Sequence, residues 1–383
     1  MKNIKIGLLA GLILILLLSG CQKQLPDPEA EPENLQTNES SDVSEQKFVR
    51  TESKVVKDKK TKSTITTQES FQLGTFITIN LYADGEAPNE DFDRIFNEIE
   101  RLEDLISKSI ETSEVAQINK NAGIAPVPVG EEVYELIKLG LEFSNVSSGG
   151  FDISVGPLVD LWGIGTESAH VPEQSEIDET IALINYQDIE LDDANRTVFL
   201  KKKGMELDLG AIAKGYIADK VKAIITDEGY TSAIINLGGN VLTVGHKPNS
   251  EAWNIGVRDP QDEHKIVGSM KLKGNSIVSS GIYERYFFVG DTRYHHILNP
   301  KTGYPEENHL QSVSIISEKS ATGDGLSTTV FVMGLEEGYK YVESLDQVEA
   351  LFITDENIVY MTPGLQDVFT LTNASYEVKS MGY

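Results

Sequence analysis

Between residues 89 and 110 the apolar side chains fall at Phe92, Ile95, Phe96, Ile99, Leu102 and Ile106. A spacing of three and four predicts an amphipathic helix with one buried stripe. Residues 130–146 follow the same rule through Val133, Leu136, Ile137 and Leu141, and residues 211–228 predict a third helix. The stretch FQLGTFITINLYA (71–83) is rich in β-branched and aromatic residues with partial alternation, which predicts a strand, and order is expected to begin near Ser70. Beyond residue 185 short strands dominate. IELDD and TVFLKK predict a hairpin turning near Ala194-Asn195, and TSAIINLGG and NVLTVGH predict strands around a Gly-Gly turn. WNIGVRDP, GSMKLKG, SIVSSG, RYFFVG and VSIISEKS continue in strand-like pieces. Helices and strands do not alternate as repeated βαβ units, so a doubly wound parallel sheet is disfavoured. The expectation is an α+β domain with mixed or antiparallel sheets covered by helices.

The N-terminal pattern is of another kind. Lys2 and Lys5 precede a charge-free apolar run at 7–18, too short for a comfortable permanent span, and then comes Leu18-Ser19-Gly20-Cys21. This resembles a bacterial lipoprotein signal, the alternative being an ordinary secretory signal. Cys21 is the only cysteine, so it cannot form an internal disulfide. The reading is a signal peptide at 1–20, lipidation (palmitate-type) at Cys21, and a mature protein tethered to the extracytoplasmic face of the cell membrane. Residues 22–66 carry few large apolar side chains, which suits a disordered spacer between lipid and domain, leaving 67–383 as one catalytic domain. The 383-residue chain has a net charge of -27, which argues against a nucleic-acid partner.

Candidate chemistry sits in three places. In ATGDGLSTTVFVMG (321–334), a helix starting near Ala321–Asp324 places Asp324 and Thr328 on one face. A carboxylate and a hydroxyl one turn apart can ligate a hard cation, and a helix N-terminus favours phosphate. The competing reading makes Asp324 an N-cap. In DLGAIAKGY (208–216), a carbonyl near Ala211 could reach a metal and Lys214 a phosphate, although a surface lysine on a first helical turn explains the pattern as well. In YHHILNPKTG (294–303), adjacent histidines on a strand face opposite ways, so they are poor joint ligands, but one could act as a general base. GFDISVGPLVDLWGIG (150–165) is aromatic and apolar enough to wrap a planar ring, or to be plain core with Trp162 as a packing residue. Ser280-Gly281 reads as an ordinary strand end.

Together, GGFDISVGPLVDLWGIG, DLGAIAKGY, INLGGN, SGIYERYF, HHILNPKTG and ATGDGLSTTVFVMG resemble the FAD:protein FMN transferases, the ApbE family, in the family's order over roughly residues 70–370. The resemblance implies a T-fold-like single domain that binds FAD with Mg²⁺. It implies transfer of the FMN half to a Thr or Ser hydroxyl of an acceptor flavoprotein, a subunit of a membrane redox complex or a secreted protein, with AMP leaving. It also implies that Asp324, Thr328 and the Ala211 carbonyl ligate Mg²⁺, and that Asp208 and Lys214 contact FAD. Gly150, Phe151, Asp152 and the Ile297–Leu298 backbone would line the flavin nucleotide site, and His296 would take the acceptor's proton. Departures from the family pattern stand at Leu73, Ser109, Ser327 and Asn299, where many members carry Met, an aromatic, an acid and Asp; the first three would border the flavin or the metal. Two other activities share the implied site: an FAD pyrophosphatase giving free FMN and AMP, and a non-catalytic flavin-binding lipoprotein. Lys301-Thr302-Gly303 echoes penicillin-binding enzymes, but the only Ser-x-x-Lys lies at Ser44–Lys47 in the spacer, which disfavours that reading.

Overall fold

The computed structural model describes residues 50–382. The expected signal segment, Cys21 and the spacer up to residue 49 lie outside the described residues. From there the chain runs β1 (Lys54–Lys57), β2 (Thr64–Gln72), β3 (Thr75–Ala83), α1 (Asn89–Ile106), α2 (Glu114–Lys120), β4 (Val127–Pro128), α3 (Glu131–Val146), α4 (Gly156–Trp162), α5 (Gln174–Ile181), β5 (Ile189–Asp192), β6 (Thr197–Leu200) and α6 (Gly210–Asp227). The second half runs β7 (Ser232–Leu237), β8 (Asn240–Gly245), β9 (Trp253–Asp259), β10 (Asp262–Leu272), β11 (Ser276–Gly281), β12 (Tyr286–Val289), β13 (Thr292–His295), β14 (Leu310–Ser317), α7 (Ser320–Glu343), β15 (Glu349–Thr354), β16 (Ile358–Met361), β17 (Phe369–Leu371) and β18 (Glu377–Val378).

Ten strands form one sheet in the order β1-β2-β3-β7-β8-β11-β14-β15-β16-β18. Its pairs are antiparallel except β16 with β18. The α+β expectation therefore holds. The period of two along β15 shows how the sheet is covered. Ala350 and Phe352 enter the main core with Ile77, Ile79 and Leu81 of β3 and the apolar stripes of α1, α3, α6 and α7. Leu351 and Ile353 point the other way, into a second core built with Val257, Val267 and Met270 of the β17-β10-β9 sheet.

The three helices expected from periodicity are present within a few residues of their expected ends. The strand expected over 71–83 is instead a hairpin. Leu73 (φ +56°) and Gly74 (φ +65°) form a two-residue turn between β2 and β3, with both central residues in the left-handed region. Order also begins earlier than the expected boundaries at Ser70 and residue 67, because β1 and most of β2 precede them. The physical reason is that β2 buries Thr64, Thr66, Gln68, Ser70 and Gln72, so its inward face is polar and shows no hydrophobic alternation. Several of those side chains hydrogen-bond around the start and middle of α1. Gln72 Nε2 donates to the Phe96 carbonyl (3.2 Å), Gln68 Nε2 to Asn89 (2.9 Å), and Thr66 accepts the Ala87 amide (2.9 Å).

Candidate active site

Helices α6 and α7 cross at Gly215. A Cβ there would lie 2.3 Å from the Ser320 carbonyl oxygen and 2.7 Å from Asp324 Cβ, so only glycine permits this approach. The Gly215 amide donates to Asp324 Oδ2 at 2.8 Å. Ala211 lies about one helical turn before Gly215 on α6, so its carbonyl belongs to the turn of helix that Asp324 meets. One turn along α7, Thr328 Oγ1 lies 3.0 Å from Ser280 Oγ of β11, and Ser327 Oγ lies 2.8 Å from the same hydroxyl. Ser327 also donates back to the Asp324 carbonyl (2.8 Å). The chain thus gathers a carboxylate, a carbonyl and a hydroxyl from two helices.

Helix α7 begins at Ser320, so Asp324 is interior and is not an N-cap. The cap comes from α6: Asp219 accepts the Ser320 and Ala321 amides at 2.8 and 2.9 Å through its two oxygens. This corrects the expectation that the α7 N-terminus receives phosphate, since a carboxylate already takes its leading amides. Burial raises Asp219's pKa against these two bonds, and burial raises Asp324's likewise.

Lys214 ties the remaining groups together. Its ammonium favours ionised Asp324 and Glu284 and disfavours protonation of His296. Glu284 is nonetheless pushed up, mainly by burial. His296 follows β13. Its Nδ1 lies 3.3 Å from the Arg285 carbonyl, which can only accept, so Nδ1 carries the proton and Nε2 is left with a lone pair. Burial first, then Arg285, pushes the His296 pKa down to about 3. His295 turns inward, as the strand alternation required. It accepts the Ile297 amide at Nδ1 and bonds the Glu306 carbonyl through Nε2, and burial lowers its pKa to about 4.

The family model described as "ApbE family" matches residues 73–352. The chain is 39% identical to the FAD:protein FMN transferase of Klebsiella pneumoniae (strain 342), over 80% of this chain and 94% of that protein. It is 34% identical to the FAD:protein FMN transferase of Treponema pallidum (strain Nichols), over 79% and 88%. The chain belongs to the ApbE family. Solved structures of that family agree with the fold. The ApbE protein of Thermotoga maritima superposes with a TM-score of 0.73 at 34% identity, covering 78% of this chain and 97% of that one. The Pseudomonas stutzeri flavinyl transferase ApbE in its apo form gives 0.71 at 27%, covering 81% and 98%.

The remaining candidates from the ApbE-like motifs divide into two groups. Gly150 borders α7, since a Cβ on it would meet Val332 at 3.3 Å. Asp208 holds the start of α6 by accepting the Gly210 amide (2.8 Å), and its own amide donates to Ile153 (2.8 Å). Leu298 stands at the centre of a bridge with Pro305 whose hydrogen bonds run through Ile297–Glu306 and Asn299–Tyr304, so the bridge leaves the amide and carbonyl of Leu298 unused. Ile297 has both its amide and its carbonyl engaged within the protein. Phe151 is buried edge-on against Phe143. Asp152 is also buried, accepting Ser154 N and Oγ and Tyr186 N at 2.7–2.9 Å, so it works as a clamp on two loops. Leu73 lies at the β2–β3 turn with its amide on the Glu103 carboxylate (3.1 Å), and Ser109 is exposed. Trp162 is a packing residue: fully buried, its Nε1 donates to Gly303 O (2.8 Å) and its ring meets Phe287, Tyr294 and Tyr304.

Sequence reasoning passed over Asp219 and Lys108, read Ser280 as an ordinary strand end, and gave Arg285 no role within the SGIYERYF motif. The only hint for Asp219 was its position one turn after Gly215 on α6. Lys108 lies 3.7 Å from Asp208 and 3.8 Å from Glu206, so it supports the DLGAIAKGY loop from the end of α1. The donors around Asp324 are all oxygens of hard character, which fits Mg²⁺. A buried carboxylate answered only by backbone amides, with a lysine nearby, also fits a site that expects a cation.

Proposed function

We propose that this enzyme transfers the FMN half of FAD to a Thr or Ser hydroxyl of an acceptor protein, releasing AMP, with Mg²⁺ held by Asp324, Thr328 and the Ala211 carbonyl. The observation that carries this reading is the bond from the Gly215 amide to the buried Asp324 carboxylate, which holds α7 against the first turns of α6, with Lys214 acting on both Asp324 and His296. Mg²⁺ bound there would offset pyrophosphate charge and stabilise the leaving phosphate. Lys214 would orient the pyrophosphate, and the amide and carbonyl of Leu298, unused by the bridge, would meet the nucleotide. His296 Nε2 accepts the proton from the acceptor hydroxyl as its oxygen bonds to the FMN phosphorus and the bond to the AMP phosphate breaks. An imidazole with a pKa near 3 is neutral but weakly basic. Burial is the main cause, and a bound pyrophosphate would offset only the smaller part that comes from Arg285 and Lys214, so its basicity would rise in part with FAD in place.

The Klebsiella and Treponema relatives are FAD:protein FMN transferases, which favours protein-directed transfer over hydrolysis to free FMN. Incubation with FAD and Mg²⁺, with and without an acceptor peptide, tests it by mass spectrometry. A gain of one FMN residue on Thr or Ser is expected; free FMN in both tubes and no adduct would leave a pyrophosphatase. The lipid anchor at Cys21 and the extracytoplasmic location belong to the same proposal and rest on the N-terminal signal pattern.

A further inference from the structure

In a chain of net charge -27, residues 54–62 read KVVKDKKTK, five lysines in nine positions. They form the edge strand β1 and its turn into β2. All five lysines are exposed, as are Val55 and Val56 between them. The one acid, Asp58, is used inside the turn, accepting the Lys60 amide and the Thr61 hydroxyl at 2.9 Å each. No salt bridge engages any of the five among the described residues. Nearby Arg50, by contrast, pairs with Asp93 at 2.6 Å.

Lysines on an edge strand also guard against strand-to-strand aggregation. That account covers Lys54 and Lys57. It does not cover Lys59, Lys60 and Lys62, which lie in the turn beyond the strand, where there is no ladder to protect.

We propose that this lysine-rich edge hairpin is a membrane-facing surface that rests on anionic phospholipid headgroups. The proposal rests on the reading of Cys21 as a lipid anchor. The described chain begins at Arg50, four residues before β1, so the tether enters the domain beside the lysines. The 29 residues from Cys21 to Arg50 span at most ~100 Å, which keeps the patch at high local concentration near the bilayer. Each lysine at an anionic surface adds about fivefold in binding, and the effect is salt-sensitive. Val55 and Val56 add apolar contact at the interface.

The geometry gives the contact a purpose. β2 runs from the lysine turn to the Leu73–Gly74 turn, a rise of about 26 Å for its length. At that far end Arg285 Nη2 would stand 3.8 Å from a Cβ on Gly74, and the Arg285 carbonyl receives the His296 amide. Headgroup contact through residues 54–62 would hold the mouth of the active site away from the lipid, facing the space where an acceptor domain stands.

The test uses the full chain on vesicles of phosphatidylcholine alone or mixed with phosphatidylglycerol, with amine labelling read lysine by lysine. Labelling of Lys54, Lys57, Lys59, Lys60 and Lys62 is expected to fall severalfold on the anionic vesicles and to recover in high salt. Exposed Lys271 and Lys273 should not change. Equal labelling on both vesicle types overturns the proposal, as does protection that persists in high salt or that accompanies self-association in place of vesicle contact. Changing Lys59, Lys60 and Lys62 to Gln should leave Lys54 and Lys57 nearly equally labelled on the two vesicle types and leave FAD turnover in detergent unchanged. The mass of the mature N-terminus and flotation in high salt report the anchor separately. An unmodified chain that still shows the salt-sensitive protection would fail the anchor and keep the surface.

Discussion

Two regions carried aromatic or polar residues that suited a flavin nucleotide: the Trp162 cluster and the α6–α7 crossing. They are built on opposite terms. Around Trp162 the polar atom is satisfied, because the indole N–H donates to Gly303 and the rings pack on one another. At the crossing a buried carboxylate meets backbone amides, a hydroxyl pair hangs on Ser280, and two helices touch backbone to backbone at Gly215. Well-satisfied buried aromatics indicate core. Buried charge without a matching ion pair, brought together from distant segments, indicates a place for a ligand. The first region serves packing, and the second is where we propose the chemistry lies.

The contrast can be broken by experiment. Asp324→Ala should lower FMN transfer on the order of 10³-fold in a steady-state assay while circular dichroism stays unchanged, since it removes charge stabilisation at the reacting phosphate. Trp162→Ala should do the reverse, costing about 3–5 kcal/mol in chemical denaturation and leaving the affinity of the folded fraction for FAD within a few-fold. Lost FAD affinity at unchanged stability would move the flavin site to Trp162.

His296→Ala should slow transfer by about 10²-fold or more with little change in FAD binding; equal loss of both would make it a binding residue. A smaller effect concerns stability without metal. Burial raises the Asp324 pKa, so its contribution is favourable below the ordinary carboxylate value of 3.8 and is lost as pH rises through the raised value. At neutral pH the buried carboxylate therefore destabilises the metal-free protein. Asp324→Asn should gain stability relative to the parent as pH rises from 4 to 7, reaching about 1–3 kcal/mol. A flat difference across that range would mean the carboxylate is already compensated.

How far these regions could be read beforehand follows from the range of the interactions. The stripe on α1 and the four-residue offset of Asp324 and Thr328 are local, and both were legible. The helix cap was not, because Asp219 acts on residues 101 and 102 positions away. β2 was hidden because its buried face is Thr, Gln and Ser, and only distant segments give those side chains partners: Gln68 and Gln72 donate to α1 and Thr66 accepts the Ala87 amide. Ser280 read as a plain strand end, since its partners Ser327 and Thr328 come together with it only when α7 lies against β11.

The most direct test of the crossing as the reactive centre is a calorimetric titration of Mg²⁺ into the FAD-loaded protein and into its Asp324→Asn variant. One saturable site in the parent and its loss in the variant is the predicted result. Equal Mg²⁺ binding by both proteins would contradict the assignment of Asp324 and, with it, the site built on α6 and α7.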